Sequence, residues 1–398
     1  MTERLYYADC YLRAFDAHVA ACEKREAGYA ALLDRSAFYP TSGGQPYDTG
    51  TLGAARVTDV SVDGAGEVWH MIDTPLVVGE TVHGEIDWTR RFDHMQQHAG
   101  EHLLANAAKR LLDGHTIGLH LGAEVSTIDM TLPAGKTHAS DAEIRALEDD
   151  VNGFIQKDVP IRCWFPEPDE LKTLPLRKPP AVDEHIRIVQ IGPHEFCACG
   201  GTHPASAGQI GLFKIVDARP SRGKLRIAFV CGKRAYELLR THSDLVTTSA
   251  GILSTSVENV PNMVGSILDQ LKRTERALWE AQKKLLFAEI PGMRARGVPT
   301  ASGYTVIAEK IEGDAAAARE LATALTAEGG IIALIAAAAG EQYVYVASRS
   351  GDIEANVGAI LSKAARESGG KGGGRPDFAQ GGGPVEMLGR MREAALLC

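Results

Sequence analysis

Residues 93–112 read DHMQQHAGEHLLANAAKRLL, where short β-like segments give way to a helical pattern. Apolar residues recur at helical spacing and predict one buried face, made of Leu103, Leu104, Ala107, Leu111 and Leu112. His98 and His102 are four residues apart, so a helix places both imidazoles on one side, one turn apart. The stretch therefore predicts a core helix that presents two metal-ligating side chains.

Further along the chain, Cys199-Gly-Gly-Thr-His203 supplies a thiolate and a third imidazole. With His98 and His102 these side chains form the nitrogen and sulfur set that a tetrahedral zinc ion prefers. A Zn²⁺ ion bound by one thiolate and three neutral imidazoles has a net charge of about +1. The ion can therefore still act as a Lewis acid or as an anchor for a polar ligand. We therefore expect one Zn²⁺ per chain, in a hydrolytic site or in a structural clip. Cys197 is a competing thiolate, although a small buried residue is the favoured interpretation.

The helical run also allows a second histidine pair. His94 is four residues before His98, as His98 is before His102, so His94 and His98 are an alternative pair. The later pair is favoured because Leu103 and Leu104 follow it directly and anchor that turn in the core. His94 is then a residue at the helix start or a neighbour of the ligands.

The rest of the chain predicts an α+β multidomain protein. Residues 1–90 read as short β segments between Gly-rich turns, which predicts a small β-barrel. Residues 91–250 form the α+β domain that holds the metal ligands. Residues 251–292 are one long helical stretch with a near 3.5-residue apolar spacing, typical of a coiled-coil or dimerisation arm, or of a helix packed on its own domain. Residues 293–398 predict a small α/β domain with a glycine-rich loop at 369–376.

Composition limits the partners of the chain. A length of 398 residues indicates more than one domain. Seven scattered cysteines argue against a disulfide framework and leave thiols for metal binding. Without an apolar run long enough for a bilayer or a signal-peptide pattern, the sequence predicts a cytoplasmic protein with no membrane partner. The net charge of −9 means that a polyanion would need a local basic patch, for which residues 219–234, free of acids, are the candidate.

Several motifs resemble those of one family. Phe38-Tyr-Pro-Thr-Ser-Gly-Gly-Gln-Pro46, His98-Ala-Gly-Glu-His-Leu-Leu104 and Cys199-Gly-Gly-Thr-His203 with Gly208-Gln-Ile-Gly211 resemble motifs of the alanyl-tRNA synthetase editing domain. The run GGKGGGRPDFAQ at 369–380 looks like DHHA1, a domain shared by alanyl-tRNA synthetases and DHH-family phosphoesterases. The order of the motifs matches the long form of the freestanding alanyl-tRNA editing proteins, AlaX.

The resemblance implies a zinc-dependent deacylase that acts on mischarged tRNA(Ala), chiefly Ser-tRNA(Ala), with Gly-tRNA(Ala) as a further candidate. An activation site for alanine discriminates by only about 10- to 200-fold against an amino acid that has one added hydroxyl or lacks one methyl group. A second, hydrolytic site is therefore needed. Ligase activity is not expected, because the chain begins at the barrel and lacks the P-loop pattern. The alternatives are a zinc-containing tRNA-binding module without turnover and, less favoured because the Asp-His-His motif is missing, a phosphoesterase.

The resemblance also implies substrate contacts. The loop that closes on the editing site in this family corresponds here to Thr41, Gly43, Gly44 and Gln45, and His120 lies where the family places a polar residue facing the substrate. The implied tRNA contacts are Arg222, Lys224, Lys371 and Arg375. Each feature also has an explanation without a role in binding. The glycine loop is then a turn between strands and His120 an ordinary strand histidine. Arg222 and Lys224 then belong to a solvated hairpin, and Lys371 and Arg375 to a flexible loop.

Overall fold

The computed structural model describes residues 1–180, 184–340 and 342–398. Its contacts divide the chain into two units, Met1–Thr248 and Ser249–Cys398. The predicted mixed α and β multidomain class is confirmed, whereas the predicted boundaries near residues 90, 250 and 292 stay predictions.

The N-terminal part of the first unit is a closed barrel. The elements here are β1 (Glu3–Arg4), α1 (Leu5–Ala8), β2 (Ala14–Arg25), β3 (Gly28–Leu33), β4 (Arg35–Ser36), β5 (Gly50–Leu52), β6 (Ala55–Val62), β7 (Val68–Ile72) and β8 (Thr81–Ile86). Six strands close in the order β2-β3-β7-β6-β5-β8. Along β2, Phe15, Ala17 and Val19 are buried at alternate positions, because successive side chains of a strand point to opposite faces. The predicted small barrel is confirmed.

The remainder of the first unit places a long helix among two small sheets. Its elements are α2 (Trp88–Leu112), β9 (His115–Leu121), β10 (Ser126–Thr131), α3 (Asp141–Gln156), β11 (Ile161–Trp164), α4 (Pro168–Thr173), β12 (Ile188–Ile191), β13 (Glu195–Ala198), β14 (Phe213–Ser221), β15 (Lys224–Cys231) and α5 (Gly232–Ile252), whose last residues belong to the second unit. The sheets have the orders β14-β15-β10-β9 and β11-β12-β13. Leu103, Leu104 and Ala107 of α2 lie in the core, as predicted, and Leu112 packs against it partly buried. The prediction is wrong for Leu111, which is 44% exposed near the end of the helix.

The second unit is built on one mixed sheet. Its elements are α6 (Val260–Ala288), α7 (Ile290–Ala295), β16 (Val298–Pro299), β17 (Thr305–Ile311), α8 (Ala315–Leu325), β18 (Ile331–Ala339), β19 (Gln342–Arg349), α9 (Val357–Ser368), β20 (Lys371–Gly374), β21 (Phe378–Gly383) and α10 (Met387–Leu396). The six strands have the order β16-β17-β18-β19-β21-β20, with β17 and β18 parallel. Strand β18 is buried from Ile331 to Ala337, which matches its continuous apolar run.

The glycine-rich segment near the C-terminus differs from the predicted loop, because it forms the antiparallel pair β20 and β21. Packing explains its composition. A Cβ on Gly372 would lie 2.5 Å from Gly381 Cα and from Leu361 Cδ2, and one on Gly358 would lie 2.6 Å from the carbonyl oxygen of Gly374. The missing side chains therefore let α9 approach the hairpin closely.

The predicted long helical stretch corresponds mainly to α6, which runs for 29 residues with none of them buried. Its apolar residues Ile267, Leu271, Leu278 and Leu285 are exposed. A coiled-coil role for this helix stays a prediction. Among the described residues, no helix combines the length and apolar character that crossing a membrane requires.

Candidate metal centre

Helix α2 is fixed at its start and in its middle. At the start, the Asp87 side chain accepts the Arg90 amide N–H at 3.2 Å and caps the helix. In the middle, a Cβ on Gly100 would lie 2.4 Å from Cys231 Sγ, so glycine lets α2 pack directly on β15. The turn that carries His98 and His102 is therefore held within the core.

The structure brings together the four predicted ligands. The donor atoms of His98, His102, Cys199 and His203 all lie within 4.8 Å of one another. Cys199 Sγ is 3.4 Å from His98 Nε2 and 3.5 Å from His203 Nε2. The ring centroids of the three histidines lie between 4.6 and 5.2 Å apart.

This geometry fits a tetrahedral zinc ion. Zinc–sulfur bonds of about 2.3 Å and zinc–nitrogen bonds of about 2.0 Å at a tetrahedral angle place sulfur and nitrogen about 3.5 Å apart. The two distances from Cys199 to the imidazoles agree with that separation. The residues present therefore fit the zinc that the sequence predicts.

Gln45 orients His98 from the side away from the cluster. His98 Nδ1 lies 2.8 Å from Gln45 Oε1, which directs Nε2 toward Cys199. Gln45 Oε1 also accepts the Thr202 amide N–H at 3.1 Å, while its Nε2 donates to Thr202 Oγ1 at 2.8 Å. Gln45, predicted as a substrate contact, is fully buried and links the glycine loop to the Cys199–His203 loop.

Glu195 has the corresponding role behind His102, because its Oε1 lies 3.3 Å from His102 Nδ1. The carboxylate is held in turn by Arg177 Nε at 3.0 Å and by Asn106 Nδ2 at 3.0 Å. Carboxylates in this position fix the tautomer and orientation of a metal-binding imidazole. Cys197 is buried and forms, with His102 and Glu195, a second group of possible ligands that shares His102 with the first.

The pKa values of Cys199 and His203 are shifted toward the forms that bind metal. The pKa of His102 is raised instead, because the effect of burial is outweighed by its hydrogen bonds with Cys197, Cys199 and Glu195. Burial by itself would raise the pKa of the Cys199 thiol, but the charge of His98 and hydrogen bonds from His102 and His203 hold that pKa well below its usual value. Burial, with the charge of His98, lowers the pKa of His203 to about 3. A thiolate and a neutral imidazole are the forms that ligate zinc.

A cavity of about 340 Å³ lies beside the cluster, and its lining includes His98, His102 and Cys199. Glu101, Arg177 and Lys178 bring charged side chains to its wall. Glu101 is 4% exposed and is not among the site residues predicted from the sequence. Helical spacing could have indicated this residue, because Glu101 lies three positions after His98 and directly before His102. Arg177 lies outside the helices and strands, and no pattern in the sequence marks it.

The predicted glycine loop forms a tight turn at this cavity. Ser42 and Gln45 exchange backbone hydrogen bonds at 3.1 and 2.9 Å. Gly43 and Gly44 both have positive φ, at 57° and 87°, as a type I′ turn requires. Gly43 lines the cavity, whereas Gly44 packs so closely on β9 that a Cβ would lie 2.5 Å from the carbonyl oxygen of Leu119.

Other predicted site residues lie elsewhere. Thr41 and His120 are exposed and do not line the cavity beside the cluster. His94 lies outside the cluster, because each step of four residues turns a helix about 40° past a full circle. Arg222 and Lys224 lie at the turn between β14 and β15.

The remaining predicted tRNA contacts lie on the glycine hairpin of the second unit. Lys371 begins β20, and Arg375 follows this strand with its Nε 3.4 Å from Asp377 Oδ1. The Arg375 side chain is 78% exposed. The role of both residues stays a prediction.

The sequence matches three family models. Residues 186–228 match the threonyl and alanyl tRNA synthetase second additional domain, and residues 303–397 match the DHHA1 domain. Residues 5–90 match the model of tRNA synthetases class II (A). The match over residues 186–228 contains the Cys199–His203 loop.

Related proteins fall into two groups by length. The alanine–tRNA ligase of Natronomonas pharaonis is 31% identical over 412 residues, covering 99% of this chain and 43% of that protein. The ligase of Halorubrum lacusprofundi is 30% identical, covering 96% of this chain and 42% of that protein. The alanyl-tRNA editing protein AlaX-L of Pyrococcus horikoshii is 31% identical over 398 residues, covering 96% of this chain and 94% of that protein. The chain therefore spans less than half of each ligase and nearly all of AlaX-L.

Proposed function

Because the chain belongs to the family of alanyl-tRNA editing proteins, we propose that it hydrolyses the ester of mischarged tRNA(Ala). Ser-tRNA(Ala) is the chief substrate and Gly-tRNA(Ala) a second one. The carrying observation is the buried cluster of three imidazoles and one thiol, which opens on a cavity that also holds a carboxylate. A purely structural zinc clip would not need such a cavity.

His98, His102, Cys199 and His203 are the proposed zinc ligands. When bound, the ion supplies positive charge that can polarise an ester carbonyl or a water molecule. Gln45 and Glu195 hold the imidazoles in place, so the ligands do not need to rearrange during the reaction.

Glu101 is the proposed proton acceptor. Its carboxylate lines the cavity on the same helical face as His98 and His102. Water attacks the ester carbonyl carbon and gives a proton to this carboxylate; the carbon–oxygen bond to the ribose then breaks. The proton passes to the departing ribose oxygen, which leaves the free amino acid and the tRNA hydroxyl.

The cavity suits a small amino acid. Its volume of about 340 Å³ is shared by polar and apolar groups, among them Ser42, Thr116 and Ile117. The cavity needs only to distinguish serine or glycine from alanine, a distinction that an activation site makes poorly. Polar groups that pair with the seryl hydroxyl, or with a water in its place, would spare Ala-tRNA(Ala).

The proposed tRNA contacts are Arg222 and Lys224 at the β14–β15 turn of the first unit and, separately, Lys371 and Arg375 on the glycine hairpin of the second unit. Each cation that contacts a phosphate adds salt-dependent affinity. We also propose that α6 pairs two copies of the chain, on the ground of its exposed apolar residues. Sedimentation at several protein concentrations tests this pairing.

The decisive experiment is deacylation of Ser-, Gly- and Ala-tRNA(Ala) by the purified full chain with measured zinc content. We expect release of serine at catalytic protein concentrations, while Ala-tRNA(Ala) survives. Intact Ser-tRNA(Ala) after incubation with zinc-loaded protein would overturn the proposal. Tight tRNA binding without any release would favour the alternative, a binding module with structural zinc.

A further inference from the structure

A groove of about 710 Å³ adjoins the cavity at the metal centre. The two share part of their walls, formed by Ser42, Gly43, Ala198, Cys199 and Gly200. A ligand whose reactive end lies beside Cys199 can therefore continue into the groove without leaving the protein surface.

Arg187 lines this groove as a buried cation that is 4% exposed. Its Nη1 donates to the carbonyl oxygens of Cys199 at 3.2 Å and of Gly201 at 2.8 Å, and its Nη2 donates to Cys10 Sγ at 3.8 Å. Its Nε is buried without a hydrogen-bond partner, and no described Asp or Glu forms an ion pair with the guanidinium. Burial of an unpaired charge is costly, so this arginine indicates an anionic ligand.

Aromatic rings lie beside the same cation. Tyr7 and Phe165 pack edge to face, with ring centroids 5.6 Å apart, and Phe165 remains 47% exposed. Arg187 Cζ lies 5.5 Å and Arg4 Cζ 5.9 Å from the Tyr7 ring centroid. Among the described lining residues, Glu184 opposes these two arginines as a lone acid. An exposed aromatic ring beside guanidinium groups is a pattern that binds unpaired nucleotides.

We propose that this groove binds the unpaired 3′-terminal nucleotides of the tRNA whose ester lies in the cavity. Phe165 provides the surface on which a base stacks, and Arg187 and Arg4 face the phosphates between the last nucleotides. This inference rests on the proposed function for the identity of the RNA. It adds the path by which the acceptor end reaches the metal centre.

The test uses an uncharged acceptor-stem hairpin ending in ACCA-3′, labelled at its 5′ end, and the same hairpin without its last three nucleotides. Binding to the zinc-loaded full chain is measured by fluorescence anisotropy. We expect the shortened RNA to bind at least about 10-fold more weakly, since stacking and phosphate contacts are lost together. Equal affinities for the two RNAs would overturn the inference.

Two variants locate the contact. Phe165→Ala should weaken binding of the intact hairpin by about 5- to 100-fold and leave the shortened one unchanged. Leu212→Ala is the matched control, because Leu212 is 44% exposed and lies outside the groove lining. Arg4→Gln should lower the slope of log affinity against log salt by about 1, whereas Arg56→Gln, on the barrel surface, should not. Wild-type binding by both Phe165→Ala and Arg4→Gln would contradict the assignment.

The two proposals fail separately. The RNA carries no amino acid, so a chain without deacylase activity would still show the 3′-end dependence if the groove binds nucleotides. Conversely, the chain could release serine from Ser-tRNA(Ala) with the same KM before and after Phe165→Ala. That result would retain the proposed function and overturn the proposal that the groove binds the 3′-terminal nucleotides. Zinc content is measured for every variant, because Arg187 and the groove lie next to Cys199.

Discussion

Gly201 lies against the imidazole of His98, so closely that a Cβ at position 201 would be 2.2 Å from His98 Cε1 and 2.4 Å from its Nδ1. The second glycine of Cys199-Gly-Gly-Thr-His203 therefore has a steric purpose. It lets the loop that carries two of the predicted ligands close over the helix that carries the other two.

Gly201→Ala should therefore displace His98 from the cluster. We expect zinc affinity to fall by at least about 10-fold, the lower end of what misplaced ligand-orienting groups cause. Chelator competition followed by metal analysis measures this. Gly200→Ala is the matched control, because its Cβ would meet only Tyr7 Oη, at 3.4 Å. Equal zinc affinities for the two variants would show that His98 does not need this contact.

Gln45→Ala should weaken zinc binding by about 10- to 100-fold, because His98 loses the group that directs its Nε2 toward Cys199. The proposed deacylase activity of this variant should return when zinc is added to saturation. A direct substrate contact would behave otherwise, since excess zinc would leave KM raised. Gln96→Ala is the control for loss of an amide side chain on the surface of this unit, where Gln96 Nε2 donates to the carbonyl oxygen of Gln209 at 2.9 Å.

Glu101→Gln should lower kcat for Ser-tRNA(Ala) by about 100- to 10,000-fold, the range typical of a lost proton acceptor. Zinc content and KM should stay near those of the unchanged chain, because this carboxylate is not among the proposed ligands. Single-turnover deacylation measures the chemical step directly. Glu124→Gln removes an exposed carboxylate of the same unit and should have no effect. An unchanged kcat for Glu101→Gln would remove Glu101 from the mechanism.

His70 should make the barrel sensitive to acid. It is fully buried, with Nε2 2.7 Å from Ser36 Oγ and Nδ1 3.2 Å from the carbonyl oxygen of Ala31. Burial lowers its pKa to about 4, below the ordinary 6.5. The unfolded chain therefore binds the proton first, and the free energy of unfolding falls as the pH drops from 6.5 toward 4.

Between pH 7 and pH 5 this histidine should cost about 2 kcal/mol of barrel stability. Hydrogen exchange of peptides from β3 and β7 in urea measures the change for this chain and for His70→Asn. The variant should start less stable at pH 7 and then lose less on acidification. Parallel pH profiles for the two proteins would show that His70 is not the responsible group.

Local patterns predicted a large part of this molecule. Leu103 and Leu104 lie in the core, and His98 and His102 lie one turn apart, because helical periodicity acts over a few residues. The spacing of Cys199 and His203 likewise indicates metal ligands without any information on the fold. Helix period also separates His94 from the cluster; the sequence alone favoured His98 and His102 without excluding the pair of His94 and His98.

Other features depend on contacts between residues far apart in the chain. Gln45 is 53 positions from His98 and was predicted as a substrate contact, yet it is buried behind the imidazole. The glycine-rich run at 369–376 is predicted as a loop, because glycine favours turns. Close packing against α9 instead places Lys371–Gly374 in strand β20.

The sequence by itself determined the kinds of ligand, their pairing by helical and loop spacing, and the succession of barrel, α+β and α/β elements. Those features follow from short-range periodicity and residue chemistry. Only the tertiary structure decided that the two ligand pairs meet within 4.8 Å, that Glu101 lies at the cavity, and that Glu195, Arg177 and Gln45 support the cluster. Such juxtapositions arise from the packing of α2 against the barrel loop and β13, which no local pattern encodes.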